Sequence, residues 1–185
     1  MAVLISIKPK WCELIANGEK TIEVRKTRPK CETPFKCYIY CTNDRKIMLE
    51  RSNYDKSIYL NCNIYYPHKK DCSLNGKVIG EFICTKTESF DVPYPAFQNE
   101  MRKDILEKSC LTYYELHRYA YHDNLYGWHI SSLKIYDKPK ELRDFYKPCT
   151  PECNYIEECG GTNETHCLFS ITRAPQSWMY VEELK

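Results

Sequence analysis

Short runs of apolar residues, set apart by turn-forming residues, divide the chain into strands and helices. "VLISIKP" (3–9) predicts a first strand that stops at Pro9. "PKWCELIANG" (9–18) follows as a short helix. Pro9 suits its first turn, Trp11, Leu14 and Ile15 share a face, and Gly18 suits the C-terminal cap. "KTIEVRK" (20–26) and "FKCYIYCT" (35–42) read as the second and third strands. "GKVIGEFICTKTESF" (76–90) is a long strand after an Asn75-Gly76 turn. "LTYYELHRYAYH" (111–122) is a helix with a T-x-x-E capping box at Thr112 and Glu115, preceded by Leu111 as a staple. "WHISSLKIYD" (128–137) is a strand closed by Lys138-Pro139, "PKELRDFY" (139–146) a short helix, and "QSWMYVEEL" (176–184) a terminal strand.

Strand, helix, several strands, helix, strands is the order of an α+β fold. It predicts a mixed, mainly antiparallel β-barrel plugged by two or more helices, in one domain spanning residues 1–185. Two segments sit outside this pattern: a polar, tyrosine-bearing insertion at 43–75 and a cysteine-rich loop at 148–167.

Two strands carry charges that a buried strand does not need. In "KTIEVR", Ile22 and Val24 face one way and Thr21, Glu23 and Arg25 the other, with Lys20 where the turn enters the strand. In "KVIGEFIC", Val78, Gly80, Phe82 and Cys84 share one face and Ile79, Glu81 and Ile83 the other, so Glu81 is a carboxylate in an otherwise apolar strand. A buried carboxylate is costly unless paired, so Lys20 or Arg25 is expected against Glu23 or Glu81. Gly80 would let another group or a ligand come close to the backbone. Such a cluster is either a structural ion-pair network or a site in which the cations bind an anionic or carbonyl group and a carboxylate serves as base.

Composition sharpens the ligand class. Residues 1–70 hold 14 Lys and Arg against 7 Asp and Glu, and residues 71–185 hold 13 against 18, so a basic first half suits an anionic partner. The opening "MAVLISIKPKW" predicts no cleavable leader, and no apolar run reaches the roughly 18–20 residues of a membrane span. The expectation is a cytoplasmic protein with no membrane partner. In that compartment the 12 cysteines are thiols or metal ligands rather than disulfides.

"GEKTIEVR", Gly18 to Arg25, meets every fixed position of the G-x-K-x-x-E-x-R signature of the ASCH domain, a branch of the PUA-like superfamily, which the chain therefore resembles. The flanking "LISIKP", "GKVIGEF", "GWHIS" and "RAPQSWMYVEE" are similar to the same family, and to its small bacterial and phage members in particular. The resemblance implies a PUA-like barrel with a cleft for RNA or a modified nucleoside, in which Gly18, Thr21 and Arg25 contact the ligand. It also implies a hydrolase alternative, because some members are nucleases and others cleave the amide of N4-acetylcytidine with a lysine, a threonine and a glutamate. The lysine then falls on Lys20 and the glutamate on Glu81, while the threonine position is held by Glu23, a carboxylate that would serve as base toward water.

A nucleic-acid groove also needs cations and stacking faces. Lys26 and Arg28 follow the signature strand, and Trp128, His129 and Trp178 stand among polar neighbours. Each has an ordinary structural alternative, the tryptophans as core plugs and His129 as a hydrogen-bonded strand residue. Cys149, Cys153, Cys159 and Cys167, spaced C-x3-C-x5-C-x7-C, form a candidate ligand set for one structural zinc, with free thiols as the other reading. A protein-interaction module, using exposed tyrosines and the cysteine loop, is the third functional class.

Overall fold

Val3, Ile5 and Ile7 of strand β1 (Ala2–Ile7) enter one apolar cluster, and Ala2 and Leu4 enter another on the opposite face. Burial on both faces accounts for the unbroken apolar run at the start of the chain. The computed structural model describes residues 1–62, 73–121, 123–148 and 170–184. β1 leads through α1 (Pro9–Ala16) to β2 (Ile22–Arg25), β3 (Phe35–Cys41) and a hairpin of β4 (Met48–Arg51) and β5 (Ile58–Asn61). The long strand β6 (Val78–Phe90), α2 (Lys103–Ser109), α3 (Tyr113–Ala120), β7 (Leu125–Lys140) and β8 (Trp178–Val181) complete the described elements, with 3-10 turns at Pro95–Glu100 and Leu142–Asp144.

Six strands form one sheet in the order β2-β7-β6-β3-β1-β8, parallel only between β1 and β3. The α+β, mainly antiparallel expectation therefore holds. The barrel is not closed: among the described residues no backbone ladder joins the edge strands β2 and β8. Side chains cross that gap instead. Arg25 of β2 donates to the Ser6 carbonyl of β1 and, at 3.4 Å, to Ser177 Oγ; Trp178 Nε1 donates to Thr27 Oγ1 at 3.0 Å. Since three strands separate β2 from β1 in the order, the sheet must curl to bring Arg25 to Ser6.

The inner cluster joins β1, β3 and β6 to Cys12 and Ile15 of α1 and to the fully buried Trp128. On the outside, Ile22 and Val24 pack with Ile105 of α2 and Tyr113, Leu116 and Ala120 of α3. The expected capping box starts α3: Thr112 Oγ1 accepts from the Glu115 amide at 3.2 Å, and Glu115 Oε2 accepts from the Thr112 amide at 2.9 Å.

The structure revises the expected elements in four places. Part of the 43–75 insertion is the β4–β5 hairpin, whose Leu49 and Ile58 join the inner cluster beside α1. α2 had no counterpart in the sequence reading. β7 runs through Lys138 and Pro139 rather than ending before them, and the segment expected as a helix at 139–146 gives only the 3-10 turn. Bulges in the β6–β7 ladder break the simple alternation of β6, so Val78 lies in the outer cluster while Ile79 joins Phe82 and Cys84 inside. At one of these bulges a Cβ on Gly80 would stand 2.5 Å from the Lys134 carbonyl, so the close approach that Gly80 permits is by a neighbouring strand.

Candidate functional site

A glycine-ended helix aims the site. α1 closes in a Schellman motif: Gly18, at φ +78°, donates to Ile15 O at 3.0 Å and Glu19 donates to Leu14 O at 2.9 Å. The Lys20 amide also returns to Leu14 O at 3.0 Å, which reverses the chain and sets Lys20 at the mouth of β2. The next residue, exposed Thr21, fixes that mouth through its backbone, donating to Lys108 O at 2.8 Å and accepting from Ile130 N at 2.9 Å. β2 then alternates as expected, Ile22 and Val24 outward onto the helices and Glu23 and Arg25 toward the inner face.

Lys20, Glu23 and Arg25 are all buried, with 2%, 6% and 8% of their surface exposed. Glu23 lies between the two cations: Lys20 Nζ is 3.4 Å from its Oε2 and Arg25 Nη2 3.0 Å from its Oε1. Lys20 Nζ also donates to the carbonyl of Ser109, the last residue of α2, at 2.7 Å, a favourable place for a cation. Burial lowers the Lys20 pKa from its ordinary value, aided by Arg25 and opposed by Glu23. Arg25 Nε is buried and finds no acceptor among the described residues.

These three residues floor a cleft of about 410 Å³ whose walls include Lys8 and Trp11, Leu111, Glu115 and Tyr119, and Gln176. The volume suits a small ligand or one unit of a larger one. The Trp11 ring lies 5.3 Å from Lys20 Nζ and 4.3 Å from Lys10 Nζ. Sequence reasoning placed Trp11 on the core face of α1 and gave Glu115, Tyr119 and Gln176 no role in the site. They reach it from three separate elements, and no local spacing signals that.

Other candidates stand elsewhere. Lys26 is exposed at the cleft's edge, 3.8 Å from Asp123 and 5.7 Å from the ring of Tyr119, and Arg28 is exposed beyond it. Glu81 does not join Lys20. It sits opposite Tyr38 on the outer face, where Tyr136 donates to its Oε2 at 2.6 Å. Trp128 is a core plug against Phe35 and Trp178, and Trp178 belongs to the gap between β2 and β8. Cys149, Cys153, Cys159 and Cys167 lie outside the described residues. Among the described residues no three His, Cys, Asp or Glu side chains gather as metal ligands.

His129 lies on the opposite side of β7 from Trp128 and is bonded to Glu88, Nε2 to Oε1 at 2.6 Å. Burial alone would raise the Glu88 carboxyl, but hydrogen bonds from Lys86, His129 and Arg102 hold it at about 2. A folded value below the ordinary 4.5 means that Glu88 contributes its full stabilisation above about pH 4.5 and loses it as pH falls toward about 2. Unfolding free energy, followed by urea titration across that window, is expected to fall with acid less steeply in Glu88→Gln than in the parent.

No protein-family model and no curated protein sequence matches the chain. Among solved structures, it is similar to an ASCH protein from Zymomonas mobilis, at 15% identity and a TM-score of 0.55, over 98% of this chain and 88% of that one. A tyrosine-to-phenylalanine variant of that protein aligns with a TM-score of 0.56, again at 15% identity, over 98% of this chain and 91% of the other. No helix among the described residues is long and apolar enough to cross a membrane. The likeness extends over nearly the whole of this chain: it has the fold of these ASCH proteins.

Proposed function

We propose that the cleft between α1, β2 and α3 binds RNA or a modified nucleoside. One observation carries this reading: Lys20, Glu23 and Arg25 are buried together on the floor of an open cleft, where a purely structural ion-pair network would require no cavity. The floor presents donors and an acceptor in fixed positions, as recognition of the polar edge of a base requires. Trp11 and Tyr119 supply aromatic walls, and the exposed Lys8, Lys10 and Lys26 give phosphates a place near the mouth. In this reading residues 1–185 form a single PUA-like domain, with the curled sheet as its incompletely closed barrel.

The test is binding of end-labelled single-stranded RNA and of free nucleosides by wild type and Lys20→Ala. Loss of one charged hydrogen bond is expected to weaken binding by about 1.5–3 kcal/mol, roughly ten- to a hundredfold. RNA binding should also fall steeply with salt. If neither probe binds, or if Lys20→Ala binds as well as wild type, the reading fails.

A second reading, hydrolysis of RNA or of an acylated nucleoside, is favoured by the lowered pKa of Lys20 and the carboxylate 3.4 Å away. With Glu81 on the outer face, such a reaction would rest on Lys20 and Glu23. Product formation by wild type, abolished in Lys20→Ala, would establish it.

A further inference from the structure

We propose that the nucleoside taken by the cleft carries an acidic group on its base, and that Lys20 and Arg25 hold this carboxylate on the floor. The proposal rests on the reading of the cleft as a nucleoside site and names the class of modification that the site selects. It begins with charge. The buried floor holds two cations, Lys20 and Arg25, and one carboxylate, Glu23, so one positive charge is in excess. A buried charge is costly unless an opposite charge meets it. Glu23, 3.4 Å away, favours the ammonium form of Lys20. The Ser109, Ser6 and Ser177 oxygens accept hydrogen bonds from the two cations but bring no charge.

The other groups around the cleft do not supply the missing anion. Glu115, the second carboxylate of the lining, is already engaged: its Oε2 accepts from the Thr112 amide at 2.9 Å and its Oε1 lies 3.7 Å from Lys10 Nζ. The buried thiol of Cys12 feels both Glu23 and Arg25, but burial raises its pKa and keeps it neutral. Arg25 also keeps a donor in reserve. The residue is 8% exposed and lines the cleft, yet its Nε finds no acceptor among the described residues.

Excess positive charge, an unused guanidinium donor and a cavity of about 410 Å³ beside them call for the same partner, an anionic pair of oxygens. A planar carboxylate matches a guanidinium fork, and Lys20 adds a second cation. In the nucleoside reading the phosphates stay near the exposed Lys8, Lys10 and Lys26, and the far edge of the base meets the floor. An unmodified base presents a neutral edge there. The anion therefore belongs to a substituent on the base.

The experiment titrates the wild-type chain, by isothermal calorimetry, with 5-carboxymethyluridine and 5-carboxycytidine. Each acid is run beside its methyl ester and its unmodified parent, and acetate is run alone. The expected result is that at least one acid binds about ten- to a hundredfold more tightly than its own ester, the worth of a charge-assisted hydrogen bond. In Lys20→Gln that preference should shrink several-fold. The ligand series on wild type keeps the test valid even if the variant folds poorly. Esters or parents that bind as tightly as the acids overturn the proposal and leave the nucleoside reading standing. Failure of every nucleoside to bind overturns both. Acetate binding as tightly as the acids also overturns the proposal, because the floor then takes an anion without a nucleoside.

Discussion

Glu23→Ala is expected to destabilise the fold by about 3–5 kcal/mol, the usual cost of removing one partner from a buried charge pair. Glu23 meets Lys20 on one oxygen and Arg25 on the other, and neither cation is more than 8% exposed. Without the carboxylate, two buried positive charges share the cleft floor with, among the described residues, only the Ser109 and Ser6 carbonyls and the Ser177 hydroxyl as hydrogen-bond partners. Glu23→Gln keeps an acceptor and the side-chain volume, so its cost should be smaller. Urea unfolding measures both. A loss below about 1 kcal/mol for Glu23→Ala would mean that water in the cleft screens the cluster as it screens a surface pair.

Trp128→Ala is expected to cost about 3–5 kcal/mol by opening a large cavity where the inner cluster meets the β2–β8 gap. The ring is fully buried and packs against Phe35 and Trp178, at centroid distances of 5.7 and 6.0 Å. Trp128→Phe should cost much less. The indole N–H is buried and finds no acceptor among the described residues, so phenylalanine removes an unsatisfied donor along with some packing. Comparing the two variants by urea unfolding separates ring volume from the polar atom. If Trp128→Phe proves as damaging as Trp128→Ala, the N–H has a partner that matters.

The parts of the fold legible in the sequence are those specified locally. Gly18 at the end of a short amphipathic run announced the Schellman turn, and Thr112 with Glu115 announced α3, because each motif lies within a few residues. The same locality made the floor of the site readable: Lys20, Glu23 and Arg25 are two to five residues apart, and strand pleat puts the last two on one face. For Glu81, a buried-looking carboxylate identifies the need for a partner without identifying which one. Tyr136, on the neighbouring strand, met that need. Bulges in the β6–β7 ladder, which depend on pairing between distant segments, were invisible for the same reason. The β4 and β5 strands are four residues each, and β4 ends in Glu50 and Arg51, so their stretch reads as a polar insertion although it covers α1. Trp11 packs against the inner cluster, as helical spacing suggests, but it also lines the cleft opposite residues of α3, which that spacing alone does not show.

The gap between β2 and β8 means that the two ends of this sheet are fastened by discrete clasps rather than by a zipper. A backbone ladder of several bonds tends to form or part cooperatively, whereas the contacts of Arg25 with Ser6 and Ser177 and of Trp178 with Thr27 can each be lost alone. Arg25 is also part of the cleft floor, so one guanidinium serves both the fastening and the binding surface. A ligand that draws Arg25 toward itself competes with the clasp, and the clasp holds Arg25 against the ligand. Affinity in the cleft and closure of the gap between β2 and β8 are thereby two readings of the same side chain's hydrogen-bond choices.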